Sequence, residues 1–476
     1  AFTVRGADTA PFRLTVNIPN VVSSGVEKSA AGNSSFDQPL YGQPFFVQGS
    51  WDKVEGTGEA KGISALILKG SSADERKNAE GLISLAAAAR SFFATLFGPA
   101  PDVPIRLVAV RRGAGFTDTG TVLFDANALR LSKIDAATVL TVSEAVTHLW
   151  FGGQTPILGE GSGVLRDGLP RYLATEFMEK QFGRDAVQSE LLRERIAFAA
   201  VAKRDSPLAR ANQSDSTYFG SVPNRGAMFW RLVDRRLGHD VFLGMLKGLL
   251  QSQPGVTLAG VRAAIVERGG AAVKQLIDAQ LDQVIDTDLL IGLPQARGAE
   301  SFSALRNLGS IDVNVSVVAT TDNGQTVRAE AAIPAKNFAD AVFKTSSRIV
   351  RVEVDPEKLY PQIDYGNDVV PRVRDLPDGL NEGALQLGAQ DYVKGEAIAC
   401  EMLTTAPRLQ EDRILLGRAL LGQNKLDEAE KVFRASLEEP LPFSATVAWA
   451  NIGLGEINMK RNQPAEAAKR FNDAVF

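Results

Sequence analysis

Glu144 and His148 are the residues whose types and spacing most directly suggest chemistry. They stand four apart in an apolar stretch that begins near Ala136, so on a helix they share one face. A glycine-rich loop follows, and Asp167 lies nineteen positions beyond His148, where a second helix is expected. Two carboxylates and an imidazole carried on successive helices are ingredients of a divalent-metal site. That set suits a harder metal and holds zinc less well than histidine nitrogens do. The competing reading is structural: Glu144 and His148 form an i,i+4 polar pair, and Asp167, ahead of Pro170, caps the second helix.

The rest of the chain limits the chemistry. It holds two histidines, His148 and His239, so a three-histidine site cannot form within one chain. A lone cysteine, Cys400, rules out an internal disulfide and a cysteine-rich metal site. Net charge is −4 and no run of lysine and arginine occurs, which argues against a nucleic-acid partner. Gly159-Glu160-Gly161-Ser162-Gly163 lacks the lysine of a phosphate-binding loop and reads as a flexible loop. No apolar run approaches eighteen residues, so no membrane-spanning segment is expected.

Several elements must position these residues. Phe12–Pro19 alternates as a half-buried strand, and Pro44–Gly49 suggests another. From about Glu59 the texture changes: Ile63–Leu68, Ile105–Val110 and Gly120–Phe124 read as buried strands, and Asp74–Phe97 as an alanine-rich helix. Residues 164–290 are mostly helical. Residues 293–301 read as a linker, after which Ile311–Val318, Thr326–Ala332 and Ile349–Val354 alternate as strands around an Asn323-Gly324 hairpin turn. Arg374–Glu382 reads as a second linker. Beyond it Leu416-Gly417, Ala429 and Phe433 recur as Leu454-Gly455, Ala467 and Phe471.

With Trp150-Phe151-Gly152 just after His148, Arg166-Asp167-Gly168 at the third-ligand spacing and Tyr172 beyond it, the stretch resembles the aminopeptidase N family of gluzincin zinc metallopeptidases. That family carries H-E-x-x-H, eighteen intervening residues and a glutamate in N-E-G. The resemblance implies a multidomain α+β chain with a thermolysin-like domain at 59–293. It implies part of a β-sandwich at 1–58, an immunoglobulin-like sandwich at 302–372 and tetratricopeptide-like helical repeats at 380–476. It also implies that Glu144 replaces the first histidine, that Ala145 takes the general base's place, and that Asp167 is a shortened third ligand. Thr117 stands at the family's amine-anchoring glutamate, with Asp118 one position off. Pro223 stands at the oxyanion-stabilising tyrosine, with Tyr218 upstream.

Alanine cannot accept a proton, and a positioned base is worth about two to four decades of rate. No residue is therefore assigned a catalytic role. Thr117, Asp118, Trp150 and Tyr172 are the candidate binding residues, and Glu144, His148 and Asp167 the vestigial metal positions. The expectation is a catalytically degenerate aminopeptidase-like protein that binds a peptide or protein partner through its cleft and repeats. The alternative is a metal-dependent hydrolase with a Glu/His/Asp site. No cofactor is expected in the first case, and zinc or another divalent metal in the second. The chain begins within strand-like sequence, so further residues are expected upstream of Ala1; a removed secretion leader, as in a secreted or periplasmic protein, is one option, and the compartment is left open.

Overall fold

The computed structural model describes residues 9–30, 33–112, 114–131 and 133–474, so the first eight residues of the strand-like opening lie outside it. Near the N-terminus, Asn33–Gly42 pairs antiparallel with both Ala10–Val16 and Val26–Ala30. A five-stranded sheet follows in the order Trp51–Glu55, Ile63–Leu68, Ile105–Val110, Thr121–Asp125 and Thr117–Asp118. Its middle pairs are parallel and both edge pairs antiparallel. The parallel strands read as continuous apolar runs because helices cover them: Ile105–Val110 is buried throughout.

Helix α1 (Ala73–Phe97) starts at a capping box, in which the Glu75 N–H donates to Ser72 Oγ and the Ser72 N–H to the Glu75 carboxylate. By length and composition alone it could cross a membrane. Here Ala79, Leu82, Ile83, Ala86 and Phe93 bury its apolar stripe in the largest core. Helix α2 (Ala136–Thr147) is capped by Asp135, whose carboxylate accepts from the Thr138 N–H at 2.7 Å. After it come a short π-helical segment, Val164–Gly168, and α3 (Leu169–Phe182), α4 (Arg184–Val201), α5 (Tyr218–Leu237), α6 (His239–Leu249) and α7 (Leu258–Asp282).

Arg225 fastens α5 to the end of α7. Its side chain is fully buried, pairs with Asp205 at 2.9 Å, and donates to the carbonyls of Ser206, Gln280 and Gln283. Burial acts against the guanidinium and lowers its pKa, and these acceptors offset that cost.

Two four-stranded sheets, antiparallel throughout, then share one core that includes Leu305, Val317, Phe343 and Val352. The expected linker at 293–301 is instead a hairpin. Gln295–Arg297 pairs with the start of Glu300–Asn307, and Gly298, at φ 62°, makes the turn. The second expected linker is also structured, because Leu376–Gly388 forms helix α8. Pro377 falls in its first turn, where a missing N–H costs nothing.

Helices α9 (Tyr392–Thr405), α10 (Gln410–Gly422), α11 (Leu426–Glu438), α12 (Ser444–Lys460) and α13 (Pro464–Asp473) complete the chain. The Gly/Phe repeat has a steric origin. The Phe433 ring lies between Gly417 and Gly453, where an added Cβ would come within 2.5 Å and 2.2 Å of it.

The helical segment is docked on the body by the turn between α11 and α12. Leu441 and Phe443 join the main core, and the Ala136 N–H donates to the Pro442 carbonyl at 3.0 Å. Lys133 donates to the carbonyls of Leu437, Glu438 and Glu439.

Replacing Arg225 by methionine should leave Asp205 charged and uncompensated in the interior. We expect a stability loss of about 3–5 kcal/mol, read from urea unfolding midpoints. A change under about 1 kcal/mol would show that the clamp is dispensable.

Candidate functional site

The end of α2 carries Glu144 and His148, as the spacing predicts, with His148 at the helix C-cap. Glu144 is half-buried and faces Arg171, one turn into α3. The Arg171 guanidinium donates through Nε to the Glu144 carboxylate in a close ion pair. Arg171 also reaches Asn224 Oδ1 at 3.4 Å and lies 3.8 Å from Glu190. Burial alone would depress the Arg171 pKa, but Glu144, Glu194 and Glu190 outweigh it and hold the group charged. Burial raises the Glu144 pKa above the usual carboxylate range; Arg171 pulls it down, while Asp167 and Glu190 push it up.

His148 Nδ1 lies 3.2 Å from the Phe151 carbonyl oxygen, which can only accept, so the proton sits on Nδ1 and Nε2 is left as the acceptor. Burial lowers the His148 pKa against the opposing pull of Asp167, which favours the neutral ring.

Asp167 does not cap α3. It sits inside the π-helical segment, and the Tyr218 hydroxyl donates to its carboxylate. Burial, reinforced by Asp167, raises the Tyr218 pKa far above that of a free phenol. The segment is held by Trp230, whose indole N–H donates to the Val164 carbonyl at 2.8 Å. Gly168 lets α3 meet α5 backbone to backbone: an added Cβ would lie 2.8 Å from the Gly226 Cα. Tyr218 opens α5, and so reaches Asp167 from across that contact.

The other sequence candidates fall around this centre. Ala145 is buried in the core. Pro223 lies inside α5 and removes a helical N–H; the Asn224 side chain supplies a 3.4 Å bond to the Phe219 carbonyl in its place. Thr117 pairs with Val122 at the sheet edge. Both carboxylate oxygens of Asp118 are engaged, accepting from Ser24 Oγ at 2.7 Å and the Gln43 N–H at 2.8 Å, so this residue ties the edge strand to the N-terminal β segment. Trp150 is 1% exposed, donates to the Gly98 carbonyl and packs on Phe93 and Phe97. That burial makes it a core residue with no face open to a ligand. Tyr172 donates to Asp234 at 2.6 Å.

The sequence motifs do not point to Arg171, and they leave Tyr218 upstream of the oxyanion position. The signal that could have found Arg171 is its place four residues after Asp167, on a helix facing an otherwise unneutralised carboxylate.

These donors do not suit a metal. Glu144 is engaged by a fixed cation, and Asp167 accepts from a phenol. A divalent ion would have to share the pocket with the Arg171 charge. Among the described residues no group of three or more His, Cys, Asp and Glu converges as a metal site.

The fold itself has solved counterparts. Aminopeptidase A from Legionella pneumophila, in complex with aspartic acid, superposes with a TM-score of 0.63 at 13% identity, over 98% of this chain and 62% of that one. An M1 zinc metallopeptidase from Deinococcus radiodurans matches at a TM-score of 0.45 and 17% identity, over 58% of this chain and 64% of that one. The chain thus spans less than two thirds of the length of these proteins. No protein-family model matches it, and no curated protein does. The first superposition shows a multidomain α+β fold like that of aminopeptidase A.

Arg171→Ala should strand Glu144 among Asp167 and Glu190 and raise its pKa further. A carboxylate whose folded pKa exceeds its unfolded value binds more protons in the native state, so stability falls as pH rises through that window. We expect Arg171→Ala to lose about 1–3 kcal/mol at about pH 8 and markedly less at about pH 5, in urea unfolding. An equal loss at both pH values would place the effect in packing instead.

Proposed function

We propose that this chain is a catalytically degenerate aminopeptidase-like protein, a scaffold that has kept the peptidase fold and lost hydrolysis. The observation that carries the reading is the Glu144–Arg171 ion pair, in which a guanidinium neutralises a carboxylate at a vestigial ligand position. Ala145 offers no base, and Pro223 no hydroxyl, to an oxyanion. In this reading residues 1–58 form the C-terminal part of an N-terminal β-sandwich, 59–293 the gluzincin-like domain, 302–372 an immunoglobulin-like sandwich and 380–476 tetratricopeptide-like repeats.

The test is turnover of aminoacyl and short-peptide reporters with added zinc, alongside metal analysis of the purified protein. We expect no turnover above a His148→Ala control and well under one metal per chain. Turnover that disappears in His148→Ala would overturn the reading and promote the metal-dependent hydrolase built on Glu144, His148 and Asp167.

We further propose that the helical repeats bind a peptide or protein partner. Helices α8, α10 and α12 stack on one another, and Trp449 is 41% exposed with the Arg418 guanidinium 4.3 Å from its ring centroid. An aromatic ring under a cation is a common anchor in protein recognition. Full-length Trp449→Glu should lose partners that the wild-type chain captures by cross-linking, with its unfolding midpoint unchanged; an identical set of partners would remove the repeats from the interaction.

A further inference from the structure

A cavity of about 970 Å³ lies away from the Glu144–Asp167 centre, where α3, α4 and α5 meet the second antiparallel sheet and the turns that flank α8 and α10. Its size is that of a small-molecule site, and junctions between structural units are where such sites concentrate. Its lining is rich in charge of both signs, and nearly all of the sheltered positive charge is satisfied. Arg231 pairs with Glu194 at 3.2 Å, Arg351 with Glu353 at 3.0 Å, and Arg408 with Glu439 at 3.1 Å. Lys358 pairs with both Asp368 and Glu353, and Arg374 with Glu382 and Glu401. Among the described residues, Arg195 is the one half-buried cation lining the cavity with no carboxylate within ion-pair distance and no hydrogen-bond acceptor. Its nearest aromatic neighbour is Tyr365, with the guanidinium 5.8 Å from the ring centroid.

We infer that Arg195 is the anchor of a binding site for a small ligand bearing a single terminal carboxylate. A half-buried guanidinium without a protein acceptor leaves its donors open to the cavity, and a carboxylate matches its planar fork with two parallel hydrogen bonds. Burial disfavours the charge, Tyr365, Glu194 and Asp355 support it and Arg231 opposes it; the balance still leaves the pKa below that of an ordinary arginine, so an anion arriving here adds support. Glu176 and Asp234 also line the cavity, and would repel a ligand of higher negative charge such as phosphate more strongly than a single carboxylate. Leu192, Ile196 and Leu409 supply apolar surface for an uncharged body. The shared chemistry is a lone carboxylate on an apolar stem, as in a free organic acid or at the C-terminus of a short peptide.

Isothermal titration of the full chain with acetyl-leucine, a leucyl-leucine dipeptide, its C-terminal amide and inorganic phosphate tests this. We expect at least one of the two acids to bind, and the amide and phosphate to bind at least about tenfold more weakly. Binding of acetyl-leucine alone would identify free acids as the source, and of the dipeptide alone, peptide termini. Arg195→Gln should weaken the acid at least about tenfold while leaving the ligand-free unfolding midpoint equal or higher, because the variant removes an unpaired charge. Arg195→Lys, which keeps the charge without the fork, should fall between the two. The inference is overturned if neither acid binds the wild-type chain, if the amide or phosphate binds as tightly as the acid, or if folded Arg195→Gln binds it unchanged.

Discussion

A carboxylate at the end of an interior helix has to be neutralised, and the centre of this protein is arranged around that constraint. Glu144 is half-buried, with Asp167 and Glu190 as like-charged neighbours. A peptidase would meet the same demand with a metal. Here Arg171 meets it from one turn inside α3, and the position of α3 is set in turn by its glycine contact with α5. The same contact delivers Tyr218 to Asp167, so both Glu144 and Asp167 have organic partners supplied by the helices that pack there.

From Arg171 the charge pattern continues outward. Glu190 lies 3.8 Å from Arg171 and 3.6 Å from Arg193, and Arg193 lies 3.7 Å from Glu411 at the start of α10. Arg193 also stacks over Phe443, 4.3 Å from its ring centroid. Alternating charges thus lead from the centre to the helical segment. The outer pairs are partly exposed and individually weak, and their effect is to orient the helices that carry them.

Much of this was legible in the sequence and some was not, for identifiable reasons. Ser72 and Glu75 announce α1, and the buried strands announce themselves by continuous apolar runs. The spacing of Glu144 and His148 placed both at the end of one helix, because helical periodicity is a local property. The partners of these residues were hidden, since Arg171–Glu144 and Tyr218–Asp167 depend on how α2, α3 and α5 pack. The two false linkers have a common cause: glycine and proline were taken as breaks. Gly298 instead turns a hairpin, and Pro377 starts a helix. Asn33–Gly42 was missed as a strand because its composition is polar, and backbone pairing on both sides stabilises it.

The α11–α12 turn has one further consequence. Leu441 and Phe443 belong to the same core as α1 and the buried strands, although more than three hundred residues separate them in the chain. Removing the last helices would open a hole in that core instead of trimming an appendage. The early strands and the late helices are therefore bound into one core, whose final packing must wait until Leu441 and Phe443 have been synthesised.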